Sequence, residues 1–197
     1  MKKIFTSVAV ASALLASAAV AEDSGAFVGA NVAYGAAKPN STSLRSGGSY
    51  TGFRYGIIAG YKEFFDANFG VRYYGTFDLG TKYTKGGNNP QIETMNLYVN
   101  ADALYNFAQE GDLEYGVFGG VGLGYVSHEV KNKRTGNDEP DGFDVALNLG
   151  LRTTYNYVHG FELFTRFGLL NQEATANGVT SKVKQPYQVG LRYTFSF

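Results

Sequence analysis

The residues most able to do chemistry are arginines and carboxylates at even-numbered positions, inside segments where apolar and polar residues alternate. Alternation with a period of two indicates β-strands, whose successive side chains point to opposite faces. One face of the sheet would therefore collect all of these charges. They are Arg54, Arg72, Asp78, Asp102, Glu114, Asp144, Arg152, Glu162, Arg166 and Arg192. Charges gathered in this way must be paired or lie in water, because an unpaired buried charge is costly.

This set of charges supports two interpretations. The first is a salt-bridged and hydrogen-bonded plug, and the second is a narrow gated ion path whose excess arginine would favour anions. Counted from the predicted short turns, the arginines near mid-height are Arg72, Arg152, Arg166 and Arg192. Asp102 is the predicted acceptor at that level, bridging more than one guanidinium group, and Glu114 and Glu162 are predicted to lie lower.

His128 is the residue that a catalytic interpretation would use, because Ser127 and Glu129 flank it. A histidine, a serine and a carboxylate suit a lipid-acting hydrolase or acyltransferase. Adjacent strand residues point to opposite faces, which is poor geometry for a relay, so we expect no catalytic site. His159 is predicted to be a plain turn residue. With no cysteine in the chain, thiolate metal sites and disulfides are excluded, and we expect neither a cofactor nor a metal.

A run of glycines between residues 119 and 124 superficially suggests a loop that binds phosphate. The dinucleotide-binding motif needs a following helix and a parallel sheet, whereas this run lies inside a predicted strand. We expect its inward-facing glycines to leave room for bulky neighbours and to let the strand curve.

These residues lie on eight predicted strands, and from the second strand onward the apolar side chains occupy odd-numbered positions. The predicted strands are 26–35, 50–62, 67–80, 92–107, 113–127, 142–155, 160–171 and 184–197. The fourth strand is typical. Met95, Leu97 and Val99 lie at odd positions, whereas Asn96 and further polar residues toward the end of the strand lie at even positions. Such strands place one face against an apolar medium and the other against polar groups.

The predicted connections alternate between short and long. The short ones are 63–66, 108–112 and 156–159, and the long ones are 36–49, 81–91, 128–141 and 172–183. Transmembrane barrels have short periplasmic turns and longer extracellular loops. The long segments are therefore predicted to be extracellular loops that contact an external ligand or a host surface.

The predicted fold is all-β, a transmembrane eight-stranded antiparallel up-and-down β-barrel. The alternative is a soluble lipocalin-like barrel, which has the same strand count but apolar side chains inside. The apolar rows here end in tyrosine and phenylalanine on both sides, for example Phe53 and Tyr61 on the second strand. Two aromatic belts are typical of the two interfaces of a bilayer. With 26 glycines and 15% aromatic residues, the composition also favours the membrane barrel.

Residues 1–21 have the pattern of a cleaved export signal. Lys2 and Lys3 precede an apolar stretch, and Ala19-Val20-Ala21 provides a small-residue cleavage site. The predicted mature domain is 22–197. The whole chain has 17 basic and 17 acidic residues, two of the basic ones lie in the signal, and the mature net charge is therefore −2. This balance gives no reason to expect nucleic acid as a partner.

The final strand carries a recognisable ending in Tyr193, Phe195 and Phe197. An alternating strand that closes on phenylalanine resembles the signal that the barrel-assembly machinery of Gram-negative bacteria recognises. Together with eight strands and an export signal, the chain resembles the small barrels of the outer membrane protein A transmembrane-domain and opacity-protein type. The resemblance implies residence in the cell outer membrane and contact with outer-membrane lipid. Because the sequence stops at the last predicted strand, we expect it to lack the peptidoglycan-binding domain that follows the barrel in larger members of this type.

We therefore predict a non-enzymatic surface barrel that serves membrane integrity, adhesion or host interaction through its loops. The second hypothesis is a small porin-like passive channel. The third, a lipid-modifying enzyme at the rim, depends on His128.

Overall fold

A computed structural model describes residues 24–40, 50–83, 91–132, 136–138, 140–176 and 179–197. The predicted export signal lies outside the described residues, so it stays a prediction. In the described part of the chain, no helix is long and apolar enough to span a membrane.

The described residues form eleven antiparallel strands, of which eight make up a closed ring. The strands are β1 (Ser24–Asn40), β2 (Tyr50–Phe64), β3 (Phe69–Tyr83), β4 (Gln91–Glu110), β5 (Leu113–Asn132), β6 (Gly136–Asp138), β7 (Asp141–Tyr155), β8 (His159–Gly168), β9 (Asn171–Ala176), β10 (Val179–Lys184) and β11 (Gln188–Ser196). The ring order is β1-β2-β3-β4-β5-β7-β8-β11, and β11 pairs with β1 to close it. The predicted eight-stranded barrel is confirmed.

The two faces of the barrel have opposite chemistry. Large apolar side chains are exposed on the outside, with Phe53 63% and Phe143 78% accessible, and the inside carries arginines, carboxylates and amides. A soluble barrel would have the reverse arrangement, because apolar groups leave water for the interior. The lipocalin-like alternative is therefore wrong, and the outer face is built for hydrocarbon.

At the end of the barrel with the short turns, called the short-turn end below, three tight connections join the strands. The turn at 65–68 is closed by Asp66, whose Oδ1 accepts hydrogen bonds from the backbone N–H groups of Asn68 (2.8 Å) and Phe69 (2.7 Å). These bonds hold the pKa of the Asp66 carboxyl below its ordinary value, because they stabilise the charged form. The turn at 156–158 places Asn156 and Tyr157 in the left-handed region, with φ of 51° and 60°.

At the opposite end, called the loop end below, strands continue into the segments that were predicted to be long loops. The predicted loop 172–183 contains the β9–β10 hairpin, and β5 continues to Asn132 and pairs there with β6. β1 continues to Asn40 by pairing with β10. Residues 41–49 and 84–90 lie outside the described residues. In the described parts the predicted loop bounds were wrong, because backbone pairing continues above the apolar band, where the apolar alternation has ended.

Candidate functional site

Nine of the ten charges predicted to share a face lie buried inside the barrel, and Glu114 is half-buried near the short-turn end. Glu114 accepts a hydrogen bond from Asn106 Nδ2 at 3.3 Å. The structure adds Lys62, which is 5% exposed and was not among the predicted charges. Its even number on β2 was the signal that could have found it.

The central contact joins opposite walls of the barrel. Arg72 on β3 donates from Nη1 to Glu162 Oε1 on β8, and these strands are separated by half of the eight-stranded ring. Glu162 Oε2 also accepts from Arg192 Nη1 at 2.9 Å. One carboxylate therefore bridges two guanidinium groups in the middle of the cross-section, where charge-assisted bonds are strong.

The acceptor predicted at mid-height behaves differently. Asp102 Oδ2 accepts from Arg72 Nε (3.0 Å) and Nη2 (2.8 Å) and from the Tyr74 hydroxyl (2.8 Å), so in these bonds it binds one guanidinium group. The bridging role falls to Glu162, which was predicted to lie lower. That prediction of height was wrong, because Glu162 is in register with Arg152 on β7 and with Arg192 on β11, two of the arginines predicted at mid-height.

A second cross-wall contact lies beside the first. Arg166 Nη1 on β8 lies 3.4 Å from Asp78 Oδ2 on β3, and Asn31 Nδ2 donates to Asp78 Oδ1 at 2.9 Å. Arg166 also donates to Asn148 Oδ1 (2.9 Å) and to Asn100 Oδ1 (3.1 Å). The amides thus satisfy guanidinium N–H groups that a single carboxylate leaves over.

Aromatic rings on the inner face, which the alternating pattern did not reveal, complete this packing. The Arg72 guanidinium carbon lies 4.3 Å from the ring centre of Phe118, and that of Arg192 lies 4.5 Å from Phe164. Arg166 lies 4.4 Å from Tyr98. Such cation–π contacts are favourable when desolvated. Each of these three arginines therefore has polar partners at its edge and a ring against its face.

Nearer the loop end, amides continue the network. Arg54 donates to Gln185 and, at 3.0 Å, to Gln188 Oε1. The side-chain amides of Gln185 and Asn96 lie 3.0 Å apart, again between opposite walls. Asp144 accepts from the Tyr98 hydroxyl at 2.6 Å and from the backbone N–H of Leu170 at 2.9 Å.

Two candidate residues of the sequence analysis are histidines. His128 is fully buried, faces the lumen, and has Nε2 3.3 Å from Gln172 Oε1. Ser127 and Glu129 belong to the opposite face, so the structure does not bring the relay together. His159 begins β8 and packs against Tyr155 and Tyr193, with Nδ1 2.8 Å from the Tyr193 hydroxyl. The prediction of a plain turn residue was wrong.

Comparison with known proteins decides the family. A sequence profile described as Helicobacter outer membrane protein matches residues 56–197. The chain belongs to this family. It is an outer-membrane β-barrel protein, as the resemblance implied. No match to an individually curated protein was found.

Solved structures agree on the fold. Neisserial surface protein A is 18% identical, with 88% of this chain and 97% of that chain covered and a TM-score of 0.53. The outer membrane protein AlkL, solved in lipid bilayers, is 15% identical over 92% and 94% of the two chains, with a TM-score of 0.53. OprG from Pseudomonas aeruginosa is 15% identical, with 87% of this chain and 96% of that chain covered and a TM-score of 0.51. At these identities the likeness shows the barrel fold alone.

The predicted assembly signal lies on the outer face of the closing strand. Tyr193 packs against Phe161 with ring centres 5.3 Å apart, and the rings of Phe195 and Phe197 meet edge to face at 5.2 Å. These rings form part of the belt at the short-turn end, which is the periplasmic end in this class of barrel. Their role in recognition by the assembly machinery stays a prediction.

The glycine run provides space for the network, as predicted. A Cβ atom at Gly124 would lie 2.5 Å from Tyr98 Cγ, and one at Gly120 would lie 2.5 Å from Asp102 Cα. We expect Gly120→Ala to lower the free energy of unfolding by about 1–3 kcal/mol, because strand β4 and Asp102 must shift. Urea unfolding in lipid vesicles would measure it.

Gly119→Ala is the matched control for this prediction. It lies on the outer face, and its Cβ would meet only the flexible end of Leu149 at 3.2 Å and the backbone oxygen of Asn148 at 3.9 Å. We expect its effect to be small. Equal losses from the two substitutions would show that the glycines matter for strand curvature rather than for luminal space.

Proposed function

We propose that this protein is a non-enzymatic surface barrel that acts through its extracellular segments and whose lumen is closed at rest. The observation that carries the proposal is the pair of contacts between β3 and β8. Arg72 with Glu162, and Arg166 with Asp78, cross the full width of the barrel. An eight-stranded barrel is just wide enough for its side chains to fill, so these contacts obstruct passage.

The cavity at the periplasmic end supports a closed lumen. It measures about 10 Å³ and is lined by Lys62, Arg72, Arg152 and Glu162, together with hydroxyl groups. A volume of about 10–15 Å³ holds about one water molecule. Arg152 donates to Asn106 Oδ1 (3.0 Å) and to Thr154 Oγ1 (2.9 Å) beside it. This cavity is therefore a packing void with room for a bound water.

The extracellular end supports a role in surface contact. β4 and β5 are 20 residues long, whereas about 9–11 residues suffice to cross a bilayer. The connections at the periplasmic end are short, so the excess length projects outward. The β9–β10 hairpin and the β1–β10 pairing extend the wall in the same direction. We propose that this rim, with the segments 36–49, 81–91, 128–141 and 172–183, contacts external ligands or host surfaces.

The other parts of the proposal follow from the same geometry. The separation of His128 from Ser127 and Glu129 supports a protein without catalytic function. Outer-membrane lipid is the proposed partner of the apolar outer face, and the barrel-assembly machinery that of the closing strand. Neither composition nor surface charge suggests nucleic acid.

Planar-bilayer recording of the refolded barrel tests the closed lumen. We expect the wild-type protein to show no large stable pore, and at most small and infrequent openings. Glu162→Gln should open more often, because Arg72 and Arg192 would lose their shared carboxylate and repel each other. A large and steadily open conductance in the wild type would contradict the closed lumen.

A small channel is the second candidate, and one observation favours it. Among the described residues, six buried cations face four buried carboxylates and the half-buried Glu114. The buried cations are Arg54, Lys62, Arg72, Arg152, Arg166 and Arg192. A pore of this composition would prefer anions. Steady anion-selective current would therefore favour the channel, and cation selectivity would contradict the inward facing of the arginines.

A further inference from the structure

Two lysines face each other on the outer surface of the barrel near its extracellular rim. Lys38 near the end of β1 is directly opposite Lys184 at the end of β10. Side chains in such positions have Cβ atoms about 4.5–5.5 Å apart, and like charges there are destabilising. The pairing of these two strands is therefore opposed by its own side chains unless an anion lies between them.

Burial shows that both lysines point outward. On β10, Val183 is buried in a cluster with Ala37 and Tyr50, so its neighbours Lys182 and Lys184 belong to the outer face. On β1, Lys38 is exposed and shares its face with Val32 and Tyr34, which are both about half exposed. The two ammonium groups are thus presented to the surroundings of the barrel and not to its lumen.

The neighbouring lysine shows how a charge on this surface is neutralised within the protein. Lys182 Nζ lies 2.5 Å from Glu173 Oε1 on β9, and both side chains are exposed. In the described part of the chain, neither Lys38 nor Lys184 forms an ion pair. One cation of the three is therefore matched by a carboxylate, and the adjacent pair has a local excess of positive charge.

The height of the pair places it among lipid headgroups. Tyr34 in the outer aromatic belt precedes Lys38 by four residues, and Tyr187 follows Lys184 by three. With a strand rise of about 3.3 Å and a tilt of about 40°, the lysines lie roughly 10 Å above the belt. Lysine side chains reach along apolar surface with the ammonium group at the polar boundary. Phosphate groups of outer-leaflet lipids occupy this layer.

We propose that Lys38 and Lys184 together bind the phosphate group of an outer-leaflet glycolipid. Each ammonium group provides three hydrogen-bond donors, and the oxygens of one phosphate group can accept hydrogen bonds from both ammonium groups at once. The bound phosphate offsets the repulsion across the β1–β10 pair. It thereby stabilises the extension of the wall that joins the first and last extracellular segments.

Binding of a phosphorylated glycolipid to the purified barrel, in alkyl maltoside micelles that contain no phosphate, tests the proposal. Native mass spectrometry would compare a diphosphorylated glycolipid with its dephosphorylated form. We expect at least tenfold tighter binding of the phosphorylated form to the wild type. Lys38→Gln and Lys184→Gln should each lower the affinity for the phosphorylated form about tenfold. The double variant should bind little more weakly than either single variant, because this two-lysine clamp needs both ammonium groups.

Lys182→Gln is the matched control, since it removes an outward lysine of the same strand that Glu173 already neutralises. Its affinity for the phosphorylated glycolipid should lie within about twofold of the wild-type affinity. An equal loss in Lys182→Gln, or additive losses for Lys38 and Lys184, would show diffuse attraction to anionic lipid and overturn the clamp.

Melting temperature separates the lipid from free phosphate. Without phosphate, Lys38→Gln and Lys184→Gln should melt at or above the wild-type temperature, because repulsion has been removed. The glycolipid should raise the melting temperature of the wild type but not that of these variants. If inorganic phosphate at the same concentration gave the full increase, the site would be one for free anions, and the assignment to lipid would be wrong.

Discussion

Glu162→Ala is expected to lower the free energy of unfolding by about 3–5 kcal/mol, the usual cost of removing one partner from a buried ion pair. Glu162 is 5% exposed and binds both Arg72 and Arg192. Its removal leaves two guanidinium groups near each other in a medium of low dielectric constant. Urea unfolding of the refolded barrel in vesicles measures the loss, and heat-modified mobility on a gel reports the folded fraction.

The exposed ion pair of Lys182 and Glu173 provides the control. Glu173→Ala removes a carboxylate from the same wall of the barrel, but the side chain of Glu173 is 48% exposed. Surface pairs contribute about 0–1 kcal/mol, so the loss should be small. If Glu162→Ala fails to fold, Glu162→Gln can be measured instead, because it keeps the shape of the side chain and one acceptor oxygen. Its loss of unfolding free energy is expected to lie between those of Glu162→Ala and Glu173→Ala. A loss of unfolding free energy at Glu162 as small as that at Glu173 would exclude a stabilising role for the luminal network.

Strand facing could be predicted because side-chain parity is a local property. Once Arg72 and Arg152 were assigned to the inner face, their neighbours Tyr73 and Leu151 had to face lipid, and the structure exposes both. A slip by one residue would have moved every charge of a strand into hydrocarbon. Fold and location followed from this constraint together with the alternating lengths of the connections.

Contacts across the lumen could not be predicted, because they depend on quantities that one strand does not contain. Arg72 and Glu162 are 90 residues apart in sequence, and their meeting depends on the shear of the whole ring and on side-chain length. Contacts between neighbouring strands were easier to predict, and Arg72 and Asp102 are in register on the adjacent strands β3 and β4. The sequence pattern therefore favoured Asp102 as the bridging acceptor and did not reveal the longer reach of Glu162.

The β9–β10 hairpin was missed for a different reason. Within hydrocarbon, a strand must alternate, because one face contacts lipid. Above the hydrocarbon the outer face no longer contacts lipid tails, so backbone hydrogen bonds can continue the wall without apolar alternation. Residues 171–184 are mostly polar and small, as in a loop, although they pair in continuous register from Asn171 with Lys184 to Ala176 with Val179.

Leu149→Arg is expected to destabilise the barrel by about 2–4 kcal/mol, the cost of an arginine on the lipid face near the middle of the bilayer. Leu149 is 53% exposed on the outer face of β7, six residues from Phe143 in one belt and six from Tyr155 in the other. No carboxylate of the lumen can reach an arginine there, because the backbone wall lies between. Reversible unfolding in vesicles of defined thickness would give the free energy.

Phe143→Arg on the same strand and face separates depth from a general effect of charge. Phe143 lies at the extracellular belt, where an arginine reaches water and headgroups, so the expected cost is about 0–1 kcal/mol. Because both substitutions introduce the same side chain on one strand, their difference reports the position of the hydrocarbon band. If the two costs were equal, Leu149 would not lie at the midplane, and the depth assigned to Lys38 and Lys184 from the same aromatic belt would have to be revised with it.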